Sequence, residues 1–229
     1  GGGGPRPAEH VKALDKNFKG RPGIGYGLTE TNALGTMGAG DEYINNPSSA
    51  GRVVPPLTEI KIIDENWQEL PEGKIGEVAI RSQSNMKGYW RNDDATAECI
   101  NSEGWFKSGD LGKFDGPFLY ILDRLKDMVI RGGENIACPE VEGAIYEHPD
   151  VLEASVFGIP DERLGEILCS SICLREGSKL SVELLNEFLS DQLAAFKIPV
   201  KIKFTYNPLP KIASGKFDKP TMRQNFIEE

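Results

Sequence analysis

Fifteen consecutive residues near the middle of the chain restrict its fold more than any other stretch: Leu122-Asp123-Arg124-Leu125-Lys126-Asp127-Met128-Val129-Ile130-Arg131-Gly132-Gly133-Glu134-Asn135-Ile136. Before them, Phe118-Leu119-Tyr120-Ile121-Leu122 is a short, bulky apolar run that predicts a buried strand. After them, Pro139 to Glu147 predicts a helix. Pro139 suits a first turn, and Val141, Ala144, Ile145 and His148 share one face. Between the two lie five charges among apolar residues, then paired glycines. A charged link between ordered elements suits a hinge that absorbs backbone rotation. Gly132-Gly133 permits positive φ and lets a ligand approach the backbone closely. An ordinary strand, turn and helix accounts for the same composition.

A chain of 229 residues allows one or two domains. Its net charge of −9 argues against a general nucleic-acid binder and against a basic membrane-surface protein. No apolar run approaches the roughly 18 to 20 residues of a membrane helix, and no secretory pattern opens the sequence as given. Cys99, Cys138, Cys169 and Cys173 form no CxxC pair, and His10 and His148 are isolated. Zinc spacing and a Ser-His or Cys-His nucleophile are therefore not expected. Cys169 and Cys173 fall in an apolar run, where thiols act as small core residues. The reducing cytoplasm is the expected compartment.

Two regions follow from the pattern. In residues 1–123, His10 to Phe18 has weak helical spacing. From about 57 to 122 the signal is β: strands at Thr58–Ile63, Ile75–Arg81, Trp105–Leu111 and Phe118–Leu122, with Pro71-Glu72-Gly73-Lys74 as a turn. Short strands with turns between them suggest a small barrel or curled sheet. In residues 124–229, a helix at 139–147, strands at 151–158 and 167–174, a helix at about 181–193, a strand at Ile202–Tyr206 and a last helix at Pro220–Ile227 make an α+β unit.

Four stretches could carry chemistry. In Gly25-Tyr26-Gly27-Leu28-Thr29-Glu30-Thr31, glycines admit a nucleotide, a hydroxyl can reach a phosphate and a carboxylate can hold Mg²⁺; a plain glycine-bounded turn explains the string as well. In Phe106-Lys107-Ser108-Gly109-Asp110, a carboxylate at a strand end can accept from both ribose hydroxyls, or the Gly-Asp pair is a surface turn. Leu209 to Lys216 sits in a segment, Lys197 to Arg223, with seven basic residues and one acid. That excess suits phosphate or carboxylate partners, or is a solvated face. Gly1-Gly2-Gly3-Gly4-Pro5 reads equally as a flexible linker.

Taken literally, these strings resemble one family. Asp123-Arg124-Leu125-Lys126-Asp127, Arg131-Gly132-Gly133-Glu134-Asn135-Ile136 and Pro139-Glu140-Val141-Glu142 are similar to the hinge region of AMP-forming acyl-CoA synthetases. That superfamily also holds peptide-synthetase adenylation domains and beetle luciferases. Tyr26-Gly27-Leu28-Thr29-Glu30, Ser108-Gly109-Asp110 and Pro210-Lys211-Ile212-Ala213-Ser214-Gly215-Lys216 match three further motifs of the superfamily, in order. The resemblance implies that Thr29 meets the α-phosphate, Glu30 the magnesium, Tyr26 with Gly25 and Gly27 the adenine, and Asp110 with Arg124 the ribose. It implies that Lys216 stabilises charge in acyl-adenylate formation, that Lys126 is the hinge, and that Gly132 and Gly133 line the coenzyme A passage. Gly2, Gly3, Gly4 and Pro5 are the counterparts of a pocket-lining Gly-Gly-x-Pro stretch. Lys87-Gly88-Tyr89-Trp90 matches too, with a mainly structural role.

The implied fold is α/β and α+β: the last part of a large N-terminal domain with a small β-barrel-like subdomain, then a mobile C-terminal domain hinged at 124–127. The implied parent activity is acid–CoA ligation from a small carboxylic acid, ATP and CoA, through AMP-bound acyl, with Mg²⁺. The superfamily's Ser/Thr/Gly-rich phosphate loop is absent from the sequence, so a C-terminal portion, inactive alone and able to associate with an upstream half, is expected. A non-catalytic fragment or partner-binding module, and an adenylation domain serving a carrier protein, stay open. Gly132 to Ile136 favours CoA ligases, because peptide-synthetase domains usually carry Gly-x-Arg-Ile-Glu there.

Overall fold

The computed structural model describes residues 21–213 and 215–228, together with Val11, Leu14 and Lys16. The helix expected over His10–Phe18 lies largely outside them; the three described residues of that span are helical. The chain divides into two compact units, residues 1–125 and 126–229.

The first unit is built on one antiparallel sheet of seven strands. These are β1 (Gly23–Tyr26), β2 (Thr36–Ala39), β3 (Arg52–Val53), β4 (Thr58–Ile63), β5 (Gly76–Ser82), β6 (Phe106–Asp115) and β7 (Phe118–Arg124). Their order is β1-β2-β3-β7-β6-β5-β4. The curled sheet expected from residue 57 therefore reaches back, through β3, to the strand that carries Tyr26. Alternation sets its faces. Ile62, Val78, Ile80 and Leu119 pack on one side. Ile63, Ala79 and Trp105 pack on the other, where Lys61 and Arg81 lie over the Trp105 ring at 4.3 and 4.7 Å. Gly116, at positive φ, opens the two-residue turn that sets the β6–β7 register. Two short helices, α1 (Asp41–Asn45) and α2 (Asp93–Cys99), complete the unit. The sequence reading missed α2, although Asn92 caps it by accepting the Ala95 N–H at 3.1 Å.

In the second unit, β10 (Val151–Asp161) and β11 (Gly165–Leu174) form a long hairpin. β8 (Val129–Arg131) and β9 (Glu134–Ile136) extend the sheet, and β12 (Lys201–Thr205) joins β11 in parallel. Ala154, Val156, Leu168 and Ile172 face α3 (Cys138–Tyr146) and α4 (Val182–Ser190) through Val141, Ile145, Leu185 and Leu189. Phe157, Ile159, Cys169 and Cys173 face α5 (Lys219–Ile227) through Met222 and Phe226. The sheet is thus covered on both faces. Burial pushes the Cys169 thiol up to about 11, which suits a core thiol.

The central charged run departs from its expected form. β7 continues to Arg124, and the segment after Asp127 is a β8–β9 hairpin rather than an irregular link. The irregular part shrinks to Leu125, Lys126, Asp127 and Met128. Arg124 joins the strand because Asp110 of β6 is its ladder partner. Among the described residues no helix is long and apolar enough to cross a membrane.

Leu185 is fully buried, whereas its neighbour Leu184 is 53% exposed. Leu185→Ala should cost about 2–5 kcal/mol in urea unfolding, and Leu184→Ala about 0.5 kcal/mol or less. Equal losses would contradict the assigned face of α4.

Candidate active site

The turn after β1 is closed by its own backbone. Leu28 accepts from the N–H groups of Thr31 and Ala33 at 3.0 and 2.8 Å, and Thr31 accepts from Leu34 at 3.1 Å. Thr31 is fully buried, with its hydroxyl within 3.1 Å of both the Leu28 N–H and carbonyl. Inward anchoring of Thr31 leaves Thr29 exposed and Glu30 half-buried. Gly27 is demanded by this fold: a Cβ there would lie 2.4 Å from the Ala33 carbonyl carbon. Gly25 lies inside β1 opposite Met37.

A second segment clamps that turn. Met86 N–H donates to the Glu30 carbonyl at 2.6 Å, Asn32 Nδ2 to the Ser84 carbonyl at 2.8 Å, and Ser84 Oγ to the Thr31 carbonyl at 3.0 Å. The Tyr89 hydroxyl donates to Glu30 Oε1 at 3.0 Å. Burial and the Glu30 charge push the Tyr89 phenol up to about 12, so it stays a donor at neutral pH. Tyr89, read from sequence as structural, thus fixes one Glu30 oxygen. The other has no protein donor among the described residues. A hard carboxylate oxygen of this kind fits a Mg²⁺ that also takes substrate phosphates and water.

Asp110 occupies a bulge in the middle of β6, not a strand end. Ala79 pairs with Lys107 and Glu77 with Leu111, so Ser108, Gly109 and Asp110 stand opposite Val78 alone. Gly109 has φ +72°, and Ser108 Oγ accepts the Asp110 N–H at 3.1 Å. The bulge frees the Asp110 side chain from strand alternation. Asp110 is only 5% exposed, and its carboxylate accepts from the Tyr26 hydroxyl on Oδ2 at 2.8 Å and meets Arg124 Nε on Oδ1 at 3.3 Å. Burial and the Asp110 charge push the Tyr26 phenol far up, which keeps it protonated. Three residues from three strands are thereby joined.

In the second unit, Gly132 and Gly133 are the central residues of the β8–β9 hairpin, with φ +59° and +88°. Two positive φ values define a type I′ turn. A Cβ on Gly133 would meet nothing within 4 Å. Lys216 lies on a second small turn, where its carbonyl accepts the Ile212 N–H at 2.9 Å and Lys211 bridges to Phe217. Three of the seven basic residues of that segment are ion-paired. Lys197 pairs with Glu140 at 2.6 Å, Lys211 with Glu153 at 2.5 Å and Lys219 with Glu142 at 3.0 Å, while Lys203 donates to the Asn225 carbonyl. Lys216 is exposed and has no such partner among the described residues. A cleft of about 440 Å³ lined in part by His148, Asp150, Lys179 and Phe188 holds none of the candidate residues. Gly2, Gly3, Gly4 and Pro5 lie outside the described residues.

The pattern of the AMP-binding enzymes matches residues 1–90, and that of the AMP-binding enzyme C-terminal domain matches residues 140–216. The chain belongs to the AMP-binding enzyme family. Within this adenylate-forming family it is 39% identical, over 99% of its length, to a putative acyl-CoA synthetase, YngI, of Bacillus subtilis (strain 168), and covers 42% of that protein. It is 35% identical over 98% of its length to a feruloyl-CoA synthase of Amycolatopsis sp, covering 45% of it. Among solved structures, ATP-bound MatB of Rhodopseudomonas palustris superposes with a TM-score of 0.89 at 32% identity, over 98% of this chain and 44% of that one. An o-succinylbenzoate CoA synthetase (MenE) of Bacillus subtilis with ATP and magnesium ion gives 0.85 at 31%, over 99% and 45%. The chain therefore spans under half the length of these AMP-binding relatives.

If Asp110 holds Tyr26 and Arg124 in one network, their losses should not add. Tyr26→Phe alone should cost about 1.5–3 kcal/mol in chemical unfolding, as for a hydrogen bond to a charged group. A double-mutant cycle with Arg124→Gln should show coupling of about 0.5 kcal/mol or more. Strict additivity would dissolve the network.

Proposed function

We propose that this chain supplies the nucleotide, lysine and thiol-acceptor elements of an ATP-dependent acid–CoA ligase. The observation that carries the reading is the Tyr26–Asp110–Arg124 network set in one unit with the exposed Thr29 and the clamped Glu30. A buried carboxylate with displaceable hydroxyl and guanidinium donors is suited to ribose hydroxyls. Thr29 offers an exposed hydroxyl to the α-phosphate, and Glu30 would hold Mg²⁺, which supplies charge neutralisation at the phosphates when bound. The relatives named as CoA synthetases, and the ATP-bound neighbours, support ATP and CoA as substrates.

In the first half-reaction a substrate carboxylate oxygen attacks the α-phosphorus, the bond to the β-phosphate oxygen breaks, and pyrophosphate leaves. Lys216, an exposed lysine with no acidic partner among the described residues, stabilises the charge gathered on phosphate and carboxylate. In the second, the CoA thiol gives up its proton to water, its sulfur attacks the acyl carbon, and AMP leaves with the bonding electrons of the C–O bond. Here the Gly132-Gly133 turn, with no side chains, leaves room for the thiol. No protein nucleophile is needed. Because the two steps want different surroundings at one carbonyl, Lys126 is assigned as the hinge between them. The superfamily's phosphate-gripping loop is not among these 229 residues, so acyl-adenylate formation is assigned to the full-length protein and not to this stretch alone.

In the full-length protein, Lys216→Ala should slow acyl-AMP formation by roughly 10²–10³-fold, read by pyrophosphate exchange. Thioester formation from supplied acyl-AMP should be largely spared; equal damage to both would sink the assignment. Lys126→Pro fixes φ near −65° and removes an N–H, so it should impair one half-reaction far more than the other. Parent rates in both would remove the hinge from Lys126.

A further inference from the structure

We propose that Glu77 is a positioning residue for nucleotide recognition: its carboxylate holds the Ser108–Asp110 bulge in the shape that presents Asp110 to the ribose. The proposal rests on the reading of Asp110 as the ribose-binding carboxylate.

In a regular antiparallel ladder the Gly109 N–H would bond a backbone partner on the neighbouring strand. At the bulge three residues of β6 stand opposite one of β5, and the ladder leaves that N–H without a carbonyl. Glu77 Oε1 takes it, at 2.9 Å. The Gly109 carbonyl is held from the opposite strand, by the Leu125 N–H at 2.9 Å. The peptide groups on both sides of Gly109 are thus held, one from β5 and one from the residue that follows β7, and the next residue is Asp110. A Cβ on Gly109 would meet nothing within 4 Å, so the glycine is needed for its φ of +72° and not for space. A backbone in that region holds its shape only when neighbours determine it, and Glu77 is the neighbour that does so with a side chain.

Glu77 is also chemically out of place. It is the single charged residue of Gly76-Glu77-Val78-Ala79-Ile80, and its surroundings are dry enough that burial pushes its carboxyl upward, against the opposing pull of the Gly109 N–H. A half-buried acid in a strand is explained by the hydrogen bond it makes. Its bonded oxygen points at the bulge backbone, so it does not need to touch the nucleotide.

The test is nucleotide discrimination in the full-length protein, measured by calorimetric competition of ATP with 2′-deoxyATP and accompanied by thermal unfolding. Losing one hydroxyl bonded to a carboxylate should weaken binding to the parent protein about tenfold. Glu77→Ala should bring the two nucleotides within about twofold of each other, mainly by weakening ATP. Glu77→Gln, which keeps an acceptor oxygen, should retain the parent ratio. Should Glu77→Ala fail to fold, Glu77→Asp draws the acceptor back by one methylene and carries the same expectation. A folded Glu77→Ala with the parent ratio overturns the proposal, as does equal weakening of both nucleotides, which marks a purely structural role. Loss of the ratio in Glu77→Gln also overturns it. A parent protein that binds both nucleotides equally overturns the Asp110 reading itself, and Glu77 with it.

Discussion

A carboxylate withdrawn from water must find donors, and Asp110 finds them on strands far away in sequence. Its partners Tyr26 and Arg124 are 84 and 14 positions distant. That demand ties β1 to β6 and β7, although β1 and β6 are not neighbours in the sheet. An unpaired buried charge would cost several kcal/mol, so the network helps to determine how the edge strand β1 sits against the middle of the sheet. The same donors are of the kind that sugar hydroxyls and water can replace.

Charge in the second unit follows a different logic. Seven basic residues between Lys197 and Arg223 would repel one another if left bare. Glu140, Glu142 and Glu153, contributed by α3 and β10, pair with three of them. Two of these acids do backbone work as well: Glu142 accepts the Val156 N–H and Glu153 the Leu209 N–H, at 2.9 and 2.8 Å. The pairs are partly exposed, so each contributes little on its own.

Much of this was legible in the sequence, and the failures have physical causes. Alternation located β4 to the residue, and the apolar runs located β10 and β11, because burial of one face writes a period into the chain. The β8–β9 hairpin was missed because its strands are three residues each, too short to show a period. Only Gly132-Gly133 hinted at the turn. Asp110 was placed at a strand end because Ser-Gly-Asp reads as a turn. A bulge uses the same residues without ending the strand, and a single sequence cannot tell the two apart. Glu77 was passed over and Tyr89 was read as mainly structural, because each acts through a partner more than thirty positions away. The signal for Glu77 was a lone acid in an apolar strand. The Gly27 requirement was read as room for a ligand, whereas the Ala33 backbone fills that room.

An exposed lysine is a poor instrument unless its base is held. Fixing one residue's backbone costs about 1–2 kcal/mol, and ordering a lysine side chain about 1.5–2. If the whole segment from Leu209 to Asp218 had to order when a ligand arrives, the backbone cost alone would exceed what one lysine–phosphate contact returns. The fold removes part of that cost beforehand. Leu209 is 4% exposed and its N–H is tied to Glu153. Lys211 is paired with the other Glu153 oxygen and bridges to Phe217. Asp218 donates its N–H to the Pro210 carbonyl at 2.9 Å and caps α5 through the Thr221 N–H. Both ends of the turn are therefore pinned to the sheet and to a helix. Holding these ends lowers the ordering cost that a contact at Lys216 must offset.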